Sequence, residues 1–187
     1  MTTVDELWFR ASEANQQAEQ AYHRLTERYD PDLEFERGRH VSRRRFRTLV
    51  DRVAGTGAPY GAHTIVYRPD GSLLLVRHEG IDMWVLPGGE VEADEEFQEA
   101  ARRELAEEAG VEVSYDGLAV LTRIGIECAQ YTTWGVLPVF AAQAETTEPT
   151  VSDPDGEISE AAWFADLPED TRDRADLLRW RERRFEP

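Results

Sequence analysis

The stretch GEVEADEEFQEAARRELAEEAGV, residues 89–111, decides how the chain is read. Glycines stand near both of its ends, and its middle is dense in charge. Taken as a helix, it places Glu104, Glu107 and Glu108 at i, i+3 and i+4. Three carboxylates then share one face within side-chain reach of each other. Like charges at that spacing destabilise a helix, so either solvent and salt screen them or a cation sits among them. Arg103 lies near two helical turns beyond Glu95, which allows an ion pair that orients Glu95. Ala100 and Leu105 are expected to face a core. Gly110 suits a left-handed helix cap, and Gly88 and Gly89 let backbone carbonyls turn inward where a side chain would block them.

Acidity alone does not identify a site here, because the whole chain is acidic. Its 187 residues carry 38 Asp and Glu against 21 basic residues, a net charge of −17, and every basic residue is Arg. Such a charge repels nucleic acid backbones and anionic membranes, so neither is expected as a partner. The acidic, Lys-free composition resembles that of proteins from salt-loving organisms; a GC-rich genome that favours Arg codons gives the same Lys bias. Hydrophobic residues make up 41%, enough for a packed core. No apolar run approaches a membrane span, and the acidic N-terminus, with no apolar h-region, predicts no secretory signal. One cysteine, Cys128, excludes an internal disulfide framework. A soluble, cytoplasmic protein is expected.

Residues 3–28 predict a long helix with a narrow apolar stripe of Leu7, Ala11, Ala14, Ala18, Ala21 and Leu25. Residues 30–40 predict a linker, broken at Pro31 and Gly38. Residues 42–55 predict a short helix between an N-cap at Ser42 and a C-cap at Gly55. Residues 62–68 and 72–78 predict a β-hairpin around Pro69-Asp70-Gly71. Residues 95–109 follow as a helix, 112–128 and 131–145 as long strands, 158–165 as a short strand and 174–184 as a closing helix. This succession predicts an α/β layered domain over residues 57–187, preceded by a helical extension over residues 1–56.

The fixed positions of residues 89–111 resemble the Nudix box throughout: Gly89, Glu95, Arg103-Glu104, apolar Leu105, Glu107-Glu108, Gly110 and apolar Val111, with the spacings of that motif. Several of these are not acidic, so the acidic composition does not account for the match. The preceding WVLPGGEVE also looks like the family's lead-in. The resemblance covers about residues 60–170 and implies an α/β/α sandwich with a mixed β-sheet. It further implies a hydrolase that uses Mg²⁺ or Mn²⁺ to polarise a diphosphate and activate water. Gly89, Glu104, Glu107 and Glu108 would hold the metal, which suits hard oxygen donors. Glu95 and Arg103 would support catalysis. The family usually draws one more carboxylate from a later loop; Glu145, Glu148, Glu157 and Glu160 are candidates. Glu157, in GEISEAAWF, fits best, with Glu160 in reserve.

Arg77 is a candidate for a substrate phosphate and Tyr131 for stacking on a base, against the ordinary roles of a surface arginine and a core aromatic. Arg43, Arg44, Arg45 and Arg47 form the one basic patch. His63, His78 and Cys128 are expected to be structural. The implied substrate is a nucleotide-type small molecule: a nucleoside diphosphate linked to another moiety, such as ADP-ribose or a nucleotide sugar. A triphosphate pyrophosphohydrolase of the housecleaning kind is the alternative. The dedicated ADP-ribose branch would call for a Pro near position 126, where this chain has Ile126. A non-catalytic nucleotide-sensing module of the same fold typically lacks one or more metal carboxylates, and all are present here. The N-terminal helix is expected to dock on the rest of the chain or on the same helix of a second copy, with a homodimer favoured.

Overall fold

The computed structural model describes residues 2–186, with side chains from residue 6 onward. In chain order the elements are α1 (Thr2–Arg28), β1 (Leu33–His40), α2 (Arg43–Thr56), β2 (Ala62–Tyr67), β3 (Leu73–His78), β4 (Met83–Val85), β5 (Gly88–Gly89), α3 (Phe97–Glu108), β6 (Val113–Cys128), β7 (Tyr131–Ala144), β8 (Ile158–Phe164) and α4 (Arg174–Phe185). One mixed sheet runs β1-β6-β7-β2-β3-β4, with β5 paired to β2 and β8 to β3. β1 is parallel to β6, and β2 is parallel to β7. The β6–β7 and β2–β3 pairs are antiparallel.

The period-2 alternation of strands sends neighbouring residues to opposite faces. Ile65, Tyr67, Leu73 and Leu75 pack toward Leu177 and Trp180 of α4. Val66, Leu74 and Val76 pack toward Leu105 and Ala109 at the end of α3. Both faces are therefore covered by helices, which explains the uninterrupted apolar run of β3. The turn after β2 forms as expected: Gly71 adopts a left-handed φ of 83° and its N–H donates to the Arg68 carbonyl at 3.0 Å. Beyond that turn β2 has its longer pairing with β7.

The stripe of α1 is buried from Leu7 to Leu25, against α2 and the faces of β6 and β7. Two sequence expectations are corrected. Residues 33–40 form β1, paired in parallel register with β6 from Leu33↔Val120 to His40↔Glu127, where a linker is expected. Most of β1 is exposed, and its charged residues suit a sheet edge, so it carries almost no hydrophobic signal. Trp180 ties α4 to the start of β1 by donating to Asp32 at 2.8 Å. The cap of α2 is Gly57, not Gly55: Gly57 is left-handed at φ 87° and donates to the Val53 carbonyl. A Cβ at Gly57 would come within 2.4 Å of the Ala21 Cβ, so the same glycine admits α1 against α2. Ser42 caps the other end by accepting the Arg45 N–H.

Candidate active site

The site is built on α3 and on the β5 turn before it. Ala100, Ala101 and Leu105 are buried and fix the helix on the sheet; Glu108 is buried among them, and Glu104 and Glu107 lie half-buried along the same flank. Arg103 is the hub of that flank. Its Nε donates to Glu95 Oε1 at 3.0 Å and its Nη2 to Glu95 Oε2 at 3.0 Å, a two-pronged ion pair. Its Nη1 donates to Glu104 Oε1 at 2.6 Å, and Nη2 also reaches the Glu90 carbonyl at 2.9 Å. The guanidinium thereby holds the Glu95 carboxyl below its ordinary pKa.

The two glycines before α3 are spacers for these carboxylates. A Cβ at Gly89 would meet the Glu104 carboxylate at 2.6–2.8 Å. The Gly88 N–H donates to Glu108 Oε2 at 2.9 Å. Gly110 takes the left-handed conformation, φ 61°, just past the helix.

Burial raises Glu104 and, more strongly, Glu108, whose carboxyl is pushed up to about 8. The negative charges of Glu104, Asp153 and Glu157 add to the rise at Glu108, and the Gly88 N–H opposes it. A buried carboxylate facing three others is an unfavourable arrangement until something neutralises it. Hard oxygens of Glu104, Glu107 and Glu108, with the Gly89 backbone beside them, match the donors that Mg²⁺ or Mn²⁺ takes. Among the described residues, no three acidic, His or Cys side chains converge tightly enough to form a cation cage. The fit to a metal therefore rests on donor chemistry and on this shared charge, not on a closed coordination shell.

A prediction follows for the metal-free protein. Folding raises the proton affinity of Glu108, so its contribution to stability is complete below the ordinary carboxylate pKa and is lost as pH rises to about 8. The slope across that window is about 1.4 kcal/mol per pH unit for one such group. In EDTA, Tm is expected to fall between pH 5 and 8 by a component that Glu108→Gln removes; calorimetry of both proteins checks it, and identical pH profiles would refute it.

Glu157 lies where its charge is felt by Glu108. Asp153 fixes the segment, accepting the N–H groups of Asp155, Glu157 and Ile158 at 3.1, 2.7 and 2.9 Å. Ser152 N–H is bonded to the Glu107 carbonyl and Thr150 N–H to the Ala109 carbonyl, so this loop is pinned to the end of α3. His78 faces Glu157 at 3.4 Å through Nε2, while its Nδ1 accepts the Gly80 N–H. Asp153 and His78 were not among the sequence-predicted partners of this site. The run Ser152-Asp153-Pro154-Asp155-Gly156 carried the signal for the first, as Asp side chains bond backbone two residues on. Glu160 lies on β8 opposite Arg77, and Glu145 lies at the Glu112 end of β6.

Arg77 and Tyr131 are engaged in other contacts. Arg77 is held between Asp82 and Asp170, so its charge is matched within the chain. Tyr131 is buried, 4% exposed, against Phe46 and beneath Arg43. It also begins β7, eight residues before the Val139↔His63↔Gly88 register, about 26 Å along an extended strand. A base could stack on it only if α2 moved. His63 packs beside Gly88, and burial lowers it to about 4, which keeps it neutral. Cys128 is half-buried.

Comparison with known proteins supplies the family. A model of the NUDIX domain matches residues 58–181. A Bacillus subtilis (strain 168) protein provisionally named an 8-oxo-dGTP diphosphatase is 34% identical over 89 residues, which are 47% of this chain and 60% of that protein. A MutT-like protein of Streptomyces ambofaciens is 43% identical over 54 residues, 29% of this chain and 35% of that protein. The chain thus spans less than two thirds of each of these relatives. The crystal structure of a NUDIX-family hydrolase from Clostridium perfringens superposes with a TM-score of 0.50 at 20% identity, over 65% of this chain and 93% of that one, and so shares the fold. With the motif of residues 89–111 folded as a glycine turn and a carboxylate-bearing helix on a mixed sheet, and the domain model matching around it, the chain belongs to the Nudix family.

Proposed function

We propose that the protein is a divalent-metal-dependent hydrolase of a phosphoric anhydride bond in a nucleotide-type substrate. The observation that carries this reading is the single α3 face on which Arg103 orders Glu95 and Glu104 beside the buried Glu108. The metal, when bound by Glu104, Glu107, Glu108 and the Gly89 carbonyl, would polarise the diphosphate and lower the pKa of water. Glu157, held by Asp153 at the edge of that face, takes the proton of the attacking water. A new P–O bond forms as the anhydride P–O bond breaks, giving two phosphorylated products. Arg103 keeps Glu95 and Glu104 charged and oriented during the cycle.

A nucleoside diphosphate linked to another moiety, ADP-ribose or a nucleotide sugar, is the substrate expected from the sequence. A second reading, a housecleaning triphosphate pyrophosphohydrolase, is favoured by the Bacillus subtilis relative and its provisional name. Phosphate release from ADP-ribose and UDP-sugars with a coupled phosphatase, and from 8-oxo-dGTP with a coupled inorganic pyrophosphatase, each with Mg²⁺, separates the two. Turnover is expected to vanish in excess EDTA, and full turnover there would overturn the metal-dependent reading. Glu157→Gln is expected to lower kcat by roughly 100-fold with little change in KM, the scale of losing a general base. Loss in Glu160→Gln but not in Glu157→Gln would move the base to Glu160.

A further inference from the structure

The N-terminal segment lies outside the residues that match the family model, yet it touches the catalytic turn through α2. From α2, Arg52 forms an ion pair with Glu90, the residue after Gly89. The carbonyl of that same Glu90 accepts Arg103 Nη2 at 2.9 Å. Arg52 Nη1 also reaches the Pro59 carbonyl, in the turn that leads from α2 to β2. That turn presses on the site directly: Gly61 is left-handed, φ 80°, and a Cβ there would come within 1.7 Å of the Gly89 carbonyl oxygen. Arg52 thus holds the Glu90 carboxylate with one nitrogen and the Pro59 carbonyl with another, tying the turn that carries Gly61 to the residue after Gly89.

We propose that Arg52 is a positioning residue for the active site: by fixing Glu90 it fixes the carbonyl against which Arg103 is braced, and through Arg103 it sets Glu95 and Glu104. The proposal rests on the hydrolase reading above. Arg52 touches none of the groups that would meet substrate, so its effect passes through Glu90 to Arg103 and to the adjoining Gly89 carbonyl. Its side chain and that of Glu90 are both partly exposed, 32% and 63%. A pair that open to water adds little to global stability, so a large change in the site with a small change in Tm is the signature of positioning.

The test compares Arg52→Ala with Arg10→Ala in the full chain. Arg10 pairs with Asp51 and Glu13, and joins α1 to α2 without touching the catalytic turn. The first readout is hydrogen exchange of the Arg103 Nε–H in the metal-free protein, followed by ¹⁵N NMR; this proton is the one donated to Glu95. Arg52→Ala is expected to speed its exchange several-fold, with Arg52→Lys restoring part of the protection and Arg10→Ala leaving it unchanged. The second readout is Mn²⁺ affinity by titration. It is expected to weaken by roughly 3- to 10-fold in Arg52→Ala, at or just below the 10-fold minimum typical of a lost outer-shell partner, since Arg52 acts one residue further out. Unchanged Nε–H exchange in Arg52→Ala, or equal acceleration in Arg10→Ala, would overturn the proposal. A wild-type protein that binds no Mn²⁺ and cleaves no substrate would sink the hydrolase reading instead, a result the exchange measurement distinguishes.

Discussion

Glu107→Gln and Glu108→Gln are each expected to lower kcat by more than about 100-fold with Mg²⁺, above the 10–100-fold range for losing an outer-shell partner of a metal. Each keeps the shape of the side chain and removes one negative charge. The two variants differ in what else they change. Glu107 is the more exposed, with 36% of its side chain open, and meets Arg103 only at 4.0 Å, so its loss should leave stability within about 0.5 kcal/mol, as for an ordinary surface change. Glu108 is buried and its charge is opposed by Glu104, Asp153 and Glu157. Replacing it by a neutral amide should therefore leave Tm unchanged at acidic pH and raise it at pH 8 in EDTA. Activity and stability move in opposite directions, which excludes misfolding as the cause of lost turnover. Steady-state kinetics beside calorimetry decide the matter. Near wild-type kcat in either variant would show that the metal is held elsewhere.

The packing around Glu108 also explains why a helix can carry adjacent carboxylates. The helix is fixed by Ala100, Ala101 and Leu105, which are buried beside Glu108, and its carboxylates are braced by Arg103. The apolar contacts and one guanidinium offset a local repulsion that a catalytic cation would remove. Destabilised, functional arrangements of this kind persist where the surrounding packing over-determines them.

What could be read from the sequence was local and periodic. The i, i+3, i+4 carboxylates depend on spacing within one helix, and helix geometry converts spacing to proximity; Glu95 lies just before α3 and still reaches Arg103 from there. Long strands such as β6 and β7 declare themselves by apolar content. β1 does not: only Leu33 and Phe35 of its eight residues reach the core, so its structure comes from backbone bonds to β6 and not from burial. Arg77 looked free because Asp170, which holds it, is far away in the sequence and brought near by the Trp84–Thr171 bridge. Tyr131 looked available because nothing in a strand pattern says which helix will cover it; α2 does, through Phe46. Asp153 was passed over because its role is to accept backbone N–H groups in a loop, which depends on the loop's conformation.

The second large effect concerns α1. Deleting residues 1–28 is expected to abolish a cooperative, soluble fold. Leu7, Ala11, Ala14, Ala18, Ala21 and Leu25 are at most 6% exposed, and they cover Phe46, Leu49, Val50, Ile124, Ile126 and Phe140. Burying one leucine contributes about 1.5–3 kcal/mol. Two leucines, four alanines and the partner surfaces they cover together approach the 5–15 kcal/mol that holds a typical domain folded. Leu25→Ala is the milder test, expected to cost about 2–5 kcal/mol and to lower Tm by several degrees. A truncated protein that stays soluble and melts cooperatively within about 2 °C of the full chain, a shift smaller than about 1 kcal/mol, would show that the stripe contributes nothing. The stripe is satisfied inside one chain, so it no longer argues for a helix-to-helix dimer. A homodimer would have to use another surface, and among the described residues of α1 the exposed large apolar candidates are Trp8 and Phe9, 59% and 65% open and in edge-to-face contact at 5.3 Å. Trp8→Ser together with Phe9→Ser should leave Tm unchanged, because neither ring packs into the core. Sedimentation of that variant beside the wild type then separates the roles of the helix. A wild-type dimer that becomes a monomer assigns the outer face to association, and a wild-type monomer leaves α1 with docking on its own chain alone.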